Sequence, residues 1–181
     1  MATCRINATR RLACLLVVVL ASGCAHSYTL QELPLPEGRP SEPAALSGAA
    51  PMMVELPSDG TYGMKRYIGS GKTVQRAIIS ALHTFGVDAR EAQPTGTGAS
   101  SAWRVTPRIL EWEDRATQWS GKPDRISIEL TTTNPNGEIV DAALATGISK
   151  RVTVGRSYPE ELLRPAILRW AARFRPLRAT P

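Results

Sequence analysis

Glu111 and Glu113 are the pair of side chains whose type and spacing most directly suggest chemistry. They are two positions apart, so in an extended segment both carboxylates lie on one side, with Cα atoms about 6.6 to 6.8 Å apart. Paired carboxylates at such a separation can act in glycoside hydrolysis. The carboxylates of residues 111–114 therefore allow a small cell-wall-modifying hydrolase as one hypothesis.

The same stretch can instead present a binding surface to a glycan, a peptide or a protein, because indole rings and basic groups on a loop are typical of such contacts. The candidate surface consists of Trp112, Glu113, Asp114, Arg115, Trp119, Lys122 and Arg125. A structural alternative is that Asp114, Arg115, Asp124 and Arg125 pair with one another and fasten the loop, while an indole covers the sheet. Since the sequence places no third catalytic group, we expect binding and no enzyme.

A second constellation, Gly69-Ser70-Gly71-Lys72-Thr73, precedes an apolar helix and is similar to the end of a phosphate-binding loop. The complete pattern requires glycine where this chain has Arg66, and no later strand ends in the aspartate that would hold magnesium. We therefore expect no nucleotide and no cofactor. A small anion at the helix start, held by N–H groups and Lys72, remains an open alternative.

Residues 1–23 have the features of an export signal: three arginines, an apolar run from Leu12 to Leu20, and small residues before Cys24. Ala21-Ser22-Gly23-Cys24 resembles a bacterial lipobox. That resemblance implies cleavage before Cys24, a diacylglycerol thioether on its sulfur and an amide-linked acyl chain such as palmitate. Residue 25 is alanine rather than aspartate, which implies the periplasmic face of the outer membrane.

Removal of this signal would change the charge and the cysteine inventory. The net charge falls from +6 to +3 when Arg5, Arg10 and Arg11 leave, so nucleic acid is a poor partner. Cys24 becomes the single remaining cysteine and is acylated, so neither a disulfide nor a thiolate metal site is expected. His26 and His83 alone cannot build a zinc centre.

The chain after Cys24 divides into three expected parts. Residues 24–51 form a lipidated, Pro-rich tether, residues 52–175 form a small periplasmic domain, and residues 176–181 form a tail. In the domain, Met52, Val54 and Leu56 recur at every second position and indicate a strand. A helix is expected to begin at a Thr73 cap and to end at Gly86, before a second strand over 87–92.

The second half of the domain predicts three further segments and a helix. A strand from Trp103 changes phase, which predicts a bulge near Ile109, and Pro107 indicates an edge or irregular position. Ile126, Ile128 and Leu130 mark the next strand, and Asn134-Pro135-Asn136-Gly137 is a hairpin turn. The return strand is expected to place Val140, Ala142, Leu144, Ile148 and Val152 on one face. The last helix opens at Pro159 with the apolar stripe Leu162, Leu163, Ala166, Ile167, Trp170 and Phe174.

This order of elements predicts an α+β fold: a mixed, largely antiparallel sheet of four to five strands with two helices packed on one face. Three segments carry a further resemblance: the Trp-Glu-Asp-Arg-Ala-Thr block from position 112 with its following Trp-Ser-Gly, the Asp59 to Gly63 stretch, and Gly69-Ser70-Gly71. Together they resemble a family of short bacterial lipoproteins known only as a domain of unknown function. The resemblance covers about residues 52–174 and implies an envelope lipoprotein with no catalytic residues to transfer.

The sequence therefore predicts a lipid-anchored envelope protein that presents a binding or adaptor domain in the periplasm. Its expected contacts are the membrane, through the lipid, and an envelope protein or a cell-wall glycan or peptide. We expect no nucleic acid, no nucleotide and no metal.

Overall fold

The computed structural model describes residues 26–35, 51–93, 102–115, 122–149 and 159–174. Its strands are β1 (Ser27–Glu32), β2 (Met52–Val54), β3 (Thr61–Tyr62), β4 (Lys65–Arg66), β5 (Ala89–Glu91), β6 (Trp103–Glu113), β7 (Arg125–Thr133) and β8 (Ile139–Ile148). The helices are α1 (Ser70–Thr84) and α2 (Pro159–Ala171), and a short 3-10 turn, Ala172–Phe174, follows α2.

The sheet is mixed and mostly antiparallel, with the strand order β1-β8-β7-β6-β2-β5. Strands β6, β7 and β8 form an antiparallel meander, and β1 adds antiparallel to β8. Strand β2 is parallel to both of its neighbours, and α1 connects it to β5. Strands β3 and β4 form a separate two-stranded hairpin. The α+β class with a mixed, largely antiparallel sheet is therefore confirmed.

The prediction of four to five strands was wrong, because the sheet has six. The additional strand is β1, whose residues were assigned to the tether. Its six residues pair in register with β8, from Ser27 opposite Ile148 to Glu32 opposite Ala143. The backbone groups of β1 gain partners in this way, although its side chains are mostly exposed.

One hydrophobic core joins both helices to the sheet. Helix α1 contacts β5, β2 and β6, helix α2 contacts β8, β1 and β7, and the helices contact each other. The expected apolar stripe of α2 is confirmed, since all six of its residues are buried. The sheet contributes Met52, Val54, Trp103, Val105, Ile126, Ile128, Leu130, Ala143 and Ala145 to the same core.

Strand β8 turns its small residues, not its larger ones, toward α2. Val140, Ala142, Leu144 and Ile148 share one half-buried face as predicted, but the fully buried residues are Ala143 and Ala145 on the opposite face; Val152 lies outside the described residues. Gly147 explains the choice. A Cβ placed on Gly147 would lie 2.3 Å from the carbonyl oxygen of Leu162, so the helix approaches closer than a side chain allows.

The irregularity predicted in β6 is confirmed, since the register with β7 shifts between Ile109 and Glu111. Pro107, in contrast, is buried in a central strand opposite Leu130. The carbonyl of Val105 accepts a hydrogen bond from Glu55 N on the β2 side. Because backbone groups two residues apart share a side, Pro107 N faces the same way, beyond the end of β2, and no ladder hydrogen bond is lost.

A buried polar network fixes α2 to the sheet. The indole Nε1 of Trp170 donates to Asp141 at 2.8 Å, and Arg173 donates to the other carboxylate oxygen at 3.0 Å. Arg173 also reaches Glu32 of β1 at 3.0 Å. The N-terminal strand, β8 and the end of α2 are therefore joined through one guanidinium group.

Candidate functional site

The predicted block from Trp112 onward meets the β3–β4 hairpin at one end of the sheet. Trp112 is only 4% exposed, so its assignment to a binding surface was wrong. After the bulge, its side chain points into the core, where its ring lies 6.2 Å from that of Tyr67. The indole forms the support on which the hairpin rests.

Gly60 allows this close packing and is a residue whose role the sequence did not reveal. A Cβ at Gly60 would lie 2.6 Å from Cβ and 2.7 Å from Cγ of Trp112. Asp59-Gly60 resembles an ordinary turn signal, and its true requirement depends on a residue more than fifty positions away. Only the three-dimensional contact explains the glycine.

The charged residues of the block form specific pairs. Arg115 lies 2.6 Å from Glu113, and the hydrogen bond that it donates to Glu113 raises the pKa of the Arg115 guanidinium. Lys65 of the hairpin lies 3.9 Å from Asp114 and 4.3 Å above the Tyr67 ring. Tyr62 also contributes to the environment of Arg115. The hairpin and the end of β6 therefore form one continuous surface.

Asp124 has a different partner from the one expected. Its carboxylate accepts a hydrogen bond from the backbone N–H of Arg115 at 2.7 Å. Its own backbone is bonded in both directions to Ser149, through N–H to the Ser149 hydroxyl at 2.8 Å and through its carbonyl to Ser149 N at 2.9 Å. Asp124 thus binds the backbone of Arg115 rather than a guanidinium. Arg115 and Arg125 form ion pairs with Glu113 and Glu111, where the structural alternative expected aspartates.

Arg125 extends the block onto the sheet. It lies opposite Glu113 in the register, is half-exposed, and its Nε is 2.8 Å from Glu111. Lys122 is exposed, and Trp119 lies outside the described residues. The structure thus brings Glu113, Arg115 and Arg125 of the predicted surface together.

The two carboxylates considered for hydrolysis are each held by a cation. Glu111 accepts a hydrogen bond from the Ser127 hydroxyl at 2.9 Å and pairs with Arg125, while Glu113 pairs with Arg115. Each of the two carboxylates thus has an arginine as its ionic partner.

The glycine-rich segment 69–73 binds a carboxylate of the same chain, that of Asp59. Backbone N–H groups of Gly69 and Gly71 donate to one carboxylate oxygen of Asp59 at 3.1 and 3.0 Å. Thr73 is not the cap, because α1 begins at Ser70 and the preceding Gly69 is left-handed with φ 88°. The Asp59 carboxylate thus occupies the position expected for an external anion.

Lys72 turns away from the helix start, toward the carboxyl ends of β2 and β5. It bonds to Glu91 and, at 3.2 Å, to the amide oxygen of Gln75. Gln75 is buried and donates to the carbonyl of Val54 at 2.8 Å. These residues, with Glu55 and Arg104, line an open hollow of about 600 Å³ whose charges are paired internally.

The described ranges contain neither a metal-binding cluster nor a membrane-spanning helix. No group of three His, Cys, Asp or Glu residues within them could hold a metal ion. No helix among these residues is both long and apolar enough to cross a membrane.

Solved structures share this fold. Two PelC structures from Paraburkholderia phytofirmans, both dodecamers, match with TM-scores of 0.59 and 0.58 and identities of 14% and 13%. They cover 81% and 83% of this chain and 98% and 100% of PelC. A DUF330 protein from Xanthomonas campestris matches with a TM-score of 0.43 and 12% identity, over 72% of this chain and 84% of that one. At these identities the similarity concerns the fold alone.

No curated protein matches the chain. The model of a family described as a domain of unknown function, DUF4823, matches residues 44–174. The resemblance to an uncharacterised family is thereby confirmed, and the chain belongs to the DUF4823 family.

Proposed function

We propose that the chain is a lipid-anchored protein of the bacterial cell envelope whose periplasmic domain binds a partner and performs no catalysis. The anchor is acylated Cys24 at the periplasmic face of the outer membrane. The basic, apolar and small-residue segments before Cys24 support the anchor. The face of the sheet that the helices leave uncovered supports the binding role.

With both helices on one face of the sheet, the other face is left for a partner. Strand positions that alternate with the core residues point to this face, and none of the described helices packs on it. Its central members are Arg104, Thr106, Arg108, Glu111, Arg125, Ser127 and Glu129. We call this set the open face.

The open face carries paired rather than isolated charges. Arg104 lies 2.8 Å from Glu55, Arg108 lies 3.4 Å from Glu129, and the Arg125–Glu111 pair adds a third. The Arg108 side chain is 72% exposed, and ion pairs this accessible to water are weak, so a ligand can replace one member at little cost. Guanidinium forks bind carboxylates bidentately, which suits an acidic protein segment or the carboxylates of a cell-wall glycan or peptide.

The binding role is tested by crosslinking in cells. A photoreactive amino acid at Arg108 is expected to capture one defined envelope component, while the same group at Ser80, exposed on α1, is not. Capture from both positions alike, or from neither, would contradict the assignment of the open face.

The anchor is tested by metabolic labelling with a clickable fatty acid. Wild-type protein is expected to carry the label and the Cys24→Ser variant to lack it, because Cys24 supplies the only acceptor thiol and the mature N-terminus. Equal labelling of both proteins would refute the anchor without affecting the crosslinking result.

A further inference from the structure

Four strand ends meet in one row at one edge of the sheet. Ser27 lies opposite Ile148, Ile148 opposite Arg125, and Arg125 opposite Glu113. We call this row the anchor rim, because Ser27 is only three positions after Cys24. Three residues of extended chain span at most about 11 Å. An acyl chain on Cys24 therefore keeps the anchor rim close to the bilayer surface.

The β3–β4 hairpin projects at the same end of the domain. Its base is fixed by Gly60 under Trp112, and Lys65 contacts Asp114, the residue directly after the rim position Glu113. Four neighbouring strands span about 14 Å from β1 to β6. The hairpin and the anchored chain end are thus near enough to meet one membrane surface together.

The two most exposed apolar side chains of the described residues lie in the turn of the hairpin and in the turn that follows β4. Met64 is fully exposed and Ile68 is 91% exposed, compared with 59% for Leu56 and 44% for Tyr28. Met64 and Ile68 therefore leave nearly all of their apolar surface accessible to solvent. Neither contributes to the core that holds the domain together.

Basic residues lie between these two apolar side chains. Lys65 and Arg66 are each about two-thirds exposed, and their ion pairs, at 3.9 Å with Asp114 and 3.4 Å with Asp59, are weak because water reaches them. Long basic side chains place their stems along apolar groups and their charges at the level of lipid phosphates. Aliphatic groups beside cations are the composition that binds the interface of an anionic membrane.

We infer that the β3–β4 hairpin and the turn that follows it insert Met64 and Ile68, respectively, into the interface of an anionic phospholipid bilayer, beside the acylated N-terminus. This inference rests on the proposed anchor at Cys24. The lipid then fixes the position of the domain, and the hairpin fixes its orientation, so that the open face keeps one constant direction relative to the membrane.

The test uses the full chain, purified from a Gram-negative host and reconstituted into vesicles of phosphatidylethanolamine and phosphatidylglycerol. Met64→Cys receives an environment-sensitive nitrobenzoxadiazole label, and Asn136→Cys, exposed in the β7–β8 turn away from the anchor rim, is the matched control. The expected result is a blue shift and quenching by acyl-chain-brominated lipid at position 64, with neither change at position 136. A water-like spectrum at position 64 in protein whose intact mass includes the acyl groups would overturn the hairpin inference and leave the anchor standing.

The charge contribution is tested in the same vesicles. Changing both Lys65→Glu and Arg66→Glu is expected to reverse most of the blue shift of the position-64 label, and replacing the anionic lipid with phosphatidylcholine is expected to reduce it. A shift that is insensitive to both changes would contradict recognition of an anionic surface. Protein whose intact mass lacks the acyl groups would overturn the anchor, and this inference with it.

Discussion

Two buried tryptophans lie toward different ends of the sheet and differ in how their polar atoms are satisfied. Trp170 donates its indole N–H to Asp141, which Arg173 also binds, and its ring meets Phe174 edge-on at 5.0 Å. Trp112 is almost equally buried, yet its Nε1 has no hydrogen-bond partner among the described residues. Arg115, nearby, has an equally buried and unpartnered Nε.

The difference concerns the two indoles, because the Thr132 hydroxyl, opposite Asp141 in the sheet, is also buried without a partner among the described residues. Buried polar groups are nearly always satisfied, and exceptions concentrate where a protein sacrifices stability for another requirement. The Trp170 end closes a network that joins β1, β8 and α2. The Trp112 end carries the hairpin that presents Met64 to the solvent. We propose that the network around Trp170 holds the fold together and that the packing of Trp112 supports the hairpin.

The largest expected loss of stability comes from breaking the hydrogen-bond network around Trp170 and Asp141. Asp141→Ala leaves Arg173 and the Trp170 indole without their buried acceptor and is expected to lower the free energy of unfolding by about 3 to 5 kcal/mol. Glu32→Ala removes the exposed partner of the same guanidinium and is expected to cost less than about 1 kcal/mol. Urea unfolding measures both, and equal losses would show that Asp141 is not the central group.

The next effect compares the indoles directly. Trp170→Phe and Trp112→Phe remove the same atoms, so their packing losses are similar. Trp170→Phe additionally leaves a buried oxygen of Asp141 unsatisfied and is expected to be more destabilising by about 1 to 3 kcal/mol. If Trp112→Phe proves the costlier change in chemical denaturation, the contrast between the two ends is wrong.

A smaller loss of stability is expected from disturbing the contact between Gly60 and Trp112 at the base of the hairpin. Gly60→Ala forces a Cβ against Trp112 and is expected to cost about 1 to 3 kcal/mol while shifting the indole N–H resonance of Trp112 in NMR spectra. Gly63→Ala, in the same hairpin, strains a residue with φ 58° but meets no atom within 4 Å. That control is expected to leave the Trp112 resonance in place, and a shift in both variants would argue against direct contact.

The smallest expected effect on stability concerns the Lys72–Glu91 ion pair, which lies away from both tryptophans and shows how much a surface ion pair contributes. The hydrogen bond from Lys72 lowers the pKa of Glu91. The pair therefore stabilises the fold above the ordinary glutamate pKa, and this contribution is lost as the pH falls through the lowered value. The stability difference between wild type and Glu91→Gln is expected to be small at neutral pH, to shrink in acid, and to weaken in high salt. A stability difference between the two proteins that does not change with pH would contradict the ion pair.

Local patterns predicted much of this fold. The stripe of α2, the bulge after Ile109 and the 134–137 turn each depend on residues close in sequence. In that turn, Asn134 Oδ1 accepts hydrogen bonds from the N–H groups of Asn136 and Glu138, and Gly137 adopts φ 81°. Such features are recognisable because the residues that stabilise them are neighbours.

The misassigned features depend on distant partners. Trp112 resembled an exposed loop residue because nothing nearby in sequence reveals that Gly60 and Tyr67 cover it. Hydrophobicity favoured the larger residues of β8, whereas the close approach of Leu162 requires Gly147 and its small neighbours. The candidate anion site failed similarly, because Asp59 reaches Gly69 and Gly71 from ten or more positions away.

The pairing of β1 also has a consequence for synthesis. A ribosome completes β1 first, yet its only partner strand in the sheet, β8, follows about 120 positions later. The first strand made is thus the last that can join, and Arg173, which holds it through Glu32, emerges later still. A chain released before β8 is complete would leave β1 without its partner and β7 as an unprotected sheet edge, which is a template for aggregation.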